Sequence, residues 1–147
     1  MPDIFIILGD RNTRKSATIR ALTGAFQKGL YQVATRGGNI DIFVQISSLQ
    51  ESRISPQDFI SEVSQNHYQS VLVSLWISNG NGQPNGHTYI QDFLHVGWNI
   101  REIVILGVNN LPTNLPQNTP TPTFILHSRT LPANQIASQI RGLWQWL

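Results

Sequence analysis

Hydrophobic and polar positions divide the chain into short apolar runs, polar loops and segments of helical period. The first run, Ile4, Phe5, Ile6, Ile7 and Leu8, is continuous and largely β-branched, and it stops at Gly9. A polar loop follows, and from Lys15 apolar residues recur at Ile19, Leu22 and Phe26 with helical spacing. The pattern predicts strand, loop and helix over Asp3 to Ala25. Leu30 to Thr35 (LYQVAT) and Ile40 to Ile46 (IDIFVQI) are strand-like runs joined by Arg36, Gly37, Gly38 and Asn39. So short a connection cannot hold a crossover helix, and the pair is expected to form an antiparallel hairpin.

Ser55, Pro56, Gln57 and Asp58 form a helix start: a serine cap, proline at the first helical position and an acid in the first turn. That helix carries Phe59, Ile60 and Val63 on one face and ends near Asn66. Ser70 to Ile77 (SVLVSLWI) is too continuously apolar for a strand with a wet face, which places it centrally in a parallel sheet. After a polar loop, Ser78 to Gly86, a third helix is expected over His87 to Trp98, with Ile90, Phe93, Leu94 and Gly97 toward the core. Glu102 to Val108 is a second central strand. Asn109 to Thr123 contains four prolines and cannot be a regular helix. A last strand, Thr123 to His127, precedes a helix opened by Pro132, with Ile136, Ile140, Leu143, Trp144 and Leu147 as its stripe. Trp146 lies off that stripe, which leaves it either at a partner surface or in a shallow groove on its own domain.

With 147 residues and 40% apolar content, the chain suffices for one domain, expected over residues 1–147, and is too short for two. Charged residues are only 12%, so surface polarity must come from Asn, Gln, Ser and Thr. A net charge of +2 does not indicate nucleic acid. Its distribution is more telling: Arg11, Arg14, Lys15 and Arg20 place four of the ten basic residues in the first loop and helix, which favours an anionic ligand there. The chain has no cysteine, which excludes disulfides, thiol chemistry and cysteine-based zinc sites. The N-terminal run has no basic region before it and breaks at Gly9, and no run is long enough to span a bilayer. A soluble, cytoplasmic protein without membrane contact is expected.

The first loop, Gly9, Asp10, Arg11, Asn12, Thr13, Arg14, Lys15 and Ser16, matches G-x-x-x-x-G-K-[ST] with Arg14 in place of the second glycine. It resembles a degenerate Walker A loop of the P-loop NTPases. In that family the loop amides and helix N-terminus surround phosphate, the lysine reaches the outer phosphates and the hydroxyl binds magnesium. The resemblance therefore implies that Gly9 to Ser16 hold a nucleotide's phosphates. A helix after this loop followed by a hairpin is similar to the Ras-like GTPase arrangement. That implies an α/β, three-layer P-loop domain, with a mostly parallel central sheet, one antiparallel hairpin strand and helices on both faces. The helix that would complete the layout is missing where Asn109 to Thr123 runs.

The family's other motifs are eroded. The D-x-x-G aspartate and glycine would fall on Ser47, Ser48, Leu49 and Gln50, and neither is present. The guanine-reading N-K-x-D would begin at Asn109, and the S-A-K-like turn is approached by His127, Ser128 and Arg129, which makes Asn109 and Ser128 the base-side candidates. Magnesium, which the resemblance implies as cofactor, would have Ser16 and Glu51 as ligands. Asp41 begins its strand and belongs at the hairpin end. His87 and His95, eight residues apart on one helix, are separated by about 12 Å and too far apart to share a metal. Asp58 and Glu62 share a helix face without a third group.

Two functions follow. One is nucleotide (GTP or ATP) phosphate binding with slow or no hydrolysis. The alternative is a pseudo-GTPase serving as a protein-interaction module through Asn109 to Thr123 or the Trp144 and Trp146 end. Arg14 discriminates between them: folded into the phosphate position and paired with Asp10 or Glu51, it would fill the site. A small kinase would want a basic lid, and residues 78–86 contain no basic side chain.

Overall fold

The structure, a computed structural model, describes residues 1–147. In chain order the elements are β1 (Asp3–Leu8), α1 (Lys15–Thr23), β2 (Gly29–Thr35), β3 (Gly38–Gln45), α2 (Pro56–Gln65), β4 (Ser70–Leu75), α3 (Gly86–His95), β5 (Asn99–Leu106), β6 (Thr123–Ile125) and α4 (Ala133–Trp144). The strands form one six-stranded sheet of order β2-β3-β4-β1-β5-β6. Only β2 with β3 is antiparallel, and Thr35 opposite Gly38 closes that hairpin. β4 and β5 flank β1 in parallel, as expected of the continuous apolar runs.

Strand alternation on β1 separates two cores. Phe5 and Ile7 face a cluster with Ile19 and Leu22 of α1 and Ile136, Ile140 and Trp144 of α4. Ile4, Ile6 and Leu8 face the other cluster, with Phe59 and Val63 of α2 and Tyr89, Ile90 and Phe93 of α3. Helices thus cover both faces. Each fully buried Ile or Leu contributes roughly 1.5–3 kcal/mol, so no polar alternation is tolerated along β1. The segment between β5 and β6 is irregular, and its Leu111 and Leu115 pack on the second core.

Two strands differ from expectation, β5 beginning at Asn99 rather than Glu102 and β6 ending at Ile125 rather than His127, and three further corrections concern helices. Gly24 adopts φ 75° and its N–H donates to the Arg20 carbonyl, which ends α1 and throws Phe26 into solvent at 89% exposure. α3 ends at His95, and the left-handed Gly97 turns the chain so that Trp98 stacks on Phe93 from outside the helix, 4.8 Å between ring centroids. Gln145, at φ 59°, reverses the chain after α4. Leu147 is therefore exposed, Leu143 is exposed on the outer side of α4 itself, and the stripe toward the core is Ile136, Ala137, Ile140 and Trp144. The same reversal sets Trp146 in a groove of its own domain, 5.3 Å from the Phe5 ring and 5.2 Å from Trp144.

One consequence of the topology positions the site. β1 runs into α1 on one face of the sheet and adjacent β4 runs into α3 on the other. Loops that diverge from neighbouring parallel strands leave a crevice at their carboxyl ends, the common place for ligands in such sheets.

Candidate functional site: the cleft over the first loop

A cleft of about 460 Å³ lies at that divergence, lined by Arg11 to Ala17 of the first loop and helix, Glu51 after β3, and Trp76 and Asn81 after β4. Its size suits a small-molecule ligand. The first loop is tightly closed. Gly9 donates its N–H to the Leu75 carbonyl at 3.1 Å, and a Cβ there would lie 2.4 Å from Thr13 Oγ1, so only glycine fits. Asn12 and Arg14 both have positive φ, 64° and 69°. Arg14 thus holds a left-handed conformation that glycine adopts freely, at a cost of about 1–2 kcal/mol.

Left-handed Arg14 beside helical Lys15 forms a bend of the kind that turns successive N–H groups toward one point. No side chain caps α1, whereas Ser55 Oγ accepts from the Asp58 N–H and Asn85 Oδ1 from the Thr88 N–H at the starts of α2 and α3. The positive end of α1 therefore faces the cleft with its donors unclaimed by any capping side chain.

Lys15 is 7% exposed, and its Nζ donates to the Asp10 carbonyl at 2.7 Å and to Thr13 Oγ1 at 3.3 Å. Burial lowers its pKa from 10.5 to about 8; the Asp10 and Glu51 carboxylates pull it up, and Arg129 pushes it further down. Near neutral pH the ammonium is charged and poorly hydrated, a state that favours an anionic ligand. The Asp10 carboxylate is turned aside to Ser78, accepting from its N–H at 3.0 Å and its hydroxyl at 2.8 Å. That bond ties the first loop to the chain leaving β4. Ser16 Oγ donates to the Ile46 carbonyl at 3.4 Å. Arg14 Nε donates to the Arg129 carbonyl at 3.3 Å, away from both Asp10 and Glu51. Three cationic side chains, Arg11, Arg14 and Lys15, line the cleft against one carboxylate, Glu51.

Ser16 and Glu51 sit in the same cleft, whereas Gln45, Ser47 and Ser48 at the end of β3 offer only amide and hydroxyl groups. No three His, Asp or Glu side chains gather anywhere in the chain. The pair could hold magnesium only together with oxygens from the ligand itself. Asn109 and Ser128 do not line the cleft: Asn109 is exposed in the irregular segment after β5, and Ser128 is fully buried with its hydroxyl unpartnered. Glu62 pairs with Lys28 at 2.8 Å, and Asp58 is exposed.

Gln50, where the resemblance would place a glycine, is fully buried and has a structural task. Its amide accepts from the Trp76 N–H at 2.9 Å and donates to the Trp76 carbonyl at 3.1 Å and the Pro84 carbonyl at 3.2 Å. Sequence reasoning missed Gln50, Trp76 and Asn81. Trp76 closes an apolar run that reads as core strand, and only its place at the strand's carboxyl end marks it as a site residue. Comparisons of the chain with protein-family models, with curated proteins and with solved structures find no match.

Proposed function

We propose that this chain binds the phosphates of a nucleotide, GTP or ATP, at Gly9 to Ser16, with slow or no hydrolysis. The observation that carries the reading is the pairing of an uncapped helix start, bent by the left-handed Arg14, with the buried Lys15 ammonium on a cleft at the divergence of β1 and β4. Strand, loop and helix in this order, followed by the β2–β3 hairpin, support a P-loop domain of Ras-like element order. Ser16 and Glu51 would hold magnesium, which when bound would neutralise charge on the phosphates. Slow turnover follows from the residues after β3, none of which is the aspartate that usually holds the metal.

Arg14 in the phosphate position, paired with Asp10 or Glu51, would favour the interaction-module reading. Its bond to the Arg129 carbonyl favours the nucleotide reading instead. Equilibrium binding of ATP, GTP and pyrophosphate, each with and without magnesium, tests the proposal. Micromolar to millimolar binding that disappears in Lys15→Ala is the expected result. No binding of any of the three at millimolar concentration by the wild-type chain would overturn it.

A further inference from the structure

We infer that Arg11 is a second cationic arm of the cleft, set in place by Trp76, and that the site therefore selects ligands with at least two linked phosphates over orthophosphate. This rests on the first loop being a phosphate site. The Arg11 guanidinium carbon lies 4.6 Å from the centroid of the Trp76 ring. A guanidinium stacked by its face keeps its N–H groups free in its own plane, where they can meet a phosphate bidentately. The chain's one ion pair joins Lys28 to Glu62, so Arg11's charge has no carboxylate partner. Arg14 differs, because its Nε is already engaged by the Arg129 carbonyl.

Trp76 is itself held. Gln50 grips its N–H and its carbonyl, and Asn81 Nδ2 donates to the Gln50 carbonyl at 3.1 Å. Gly80 is packed so closely on the ring that a Cβ there would lie 2.5 Å from Cζ3. With 4% exposure, the indole cannot swing away, and Arg11 rests on a fixed platform after β4. Lys15 and the loop amides belong to the other wall, after β1. A single phosphate seated on those amides leaves the Arg11 side of the cleft unfilled, and a second, covalently linked phosphate reaches it. Trp76 and Gln50 are positioning residues in this scheme, and Arg11 is the one that touches ligand.

Calorimetric titration of the full chain with orthophosphate, pyrophosphate and tripolyphosphate tests this. Pyrophosphate should bind at least about tenfold more tightly than orthophosphate, the size of a charge-assisted hydrogen-bonded contact. Arg11→Gln should weaken pyrophosphate binding more than orthophosphate binding and so remove most of that preference, read as the ratio of the two dissociation constants. Trp76→Leu should reproduce the loss, Trp76→Phe should restore it because a flat ring is kept, and Arg11→Gln with Trp76→Leu should be no worse than either alone. Unchanged preference in Arg11→Gln, in a protein whose binding still depends on Lys15, overturns the role of Arg11 and leaves the phosphate loop standing. Absence of pyrophosphate binding by the wild-type chain removes both.

Discussion

Replacing Lys15 with methionine takes away a charge held at 7% exposure while keeping an unbranched side chain of similar volume. Burial lowers the lysine's pKa from 10.5 to about 8, so between those values the unfolded chain binds a proton that the folded chain does not. Below pH 8 the charged ammonium is therefore a cost of folding, about 3 kcal/mol from the size of the shift, and the cost fades as pH rises from 8 through 10.5. Methionine escapes that cost but cannot donate, a loss of about 1 kcal/mol. The Asp10 carbonyl keeps the Thr13 hydroxyl at 2.7 Å in either case. Lys15→Met should then be more stable at pH 7 by about 2 kcal/mol, or about 4–8 °C in Tm for a chain of this size. Thermal and urea unfolding followed by circular dichroism at pH 7 and 9.5 reads the effect. The variant's advantage should shrink by about 2 kcal/mol at the higher pH, and phosphate binding should be lost at both. A variant that melts at or below wild type at pH 7, or an advantage independent of pH, would refute the assignment of a destabilising buried charge kept for binding.

Three further outcomes are expected. Arg14→Gly should exceed Arg14→Ala in stability by about 1 kcal/mol, because both remove the guanidinium and only glycine is unstrained at φ 69°; equal urea midpoints would contradict the left-handed assignment. Gln50→Ala should cost about 2–4 kcal/mol, since it leaves the Trp76 N–H and the Trp76 and Pro84 carbonyls without partners in a buried setting; a loss under 1 kcal/mol in urea unfolding would show that water replaces the amide. Tyr89, fully buried with its hydroxyl donating to the Ile54 carbonyl, has its phenol pushed up to about 12 by burial. The folded chain holds that proton more tightly, so stability tied to Tyr89 falls as pH rises through 10 toward 12. Tyr89→Phe should cost about 1–2 kcal/mol at pH 9, and its deficit should narrow at pH 11; a constant deficit would argue against the raised value.

What the sequence determined by itself is local. The apolar runs at Ile4 to Leu8 and Val71 to Leu75, the second interrupted only by Ser74, read as strands buried on both faces, and Ser55-Pro56-Gln57-Asp58 began a helix as its chemistry requires. The Gly-Gly connection closed a hairpin because nothing else fits in that length. The loop from Gly9 to Ser16 was legible for the same reason, since one contiguous turn carries the amides and Lys15. Helix ends were not legible. Phe26, Trp98 and Leu147 keep the spacing of the stripes before them, and only a left-handed residue at Gly24, Gly97 or Gln145 breaks the periodicity, a backbone choice decided by where the chain must go next. The tertiary structure alone decided the rest of the cleft. Glu51, Trp76 and Asn81 reach the first loop because β4 lies beside β1 and β3 beside β4. Hydrophobic periodicity reports which face of an element is covered but carries no record of which element covers it.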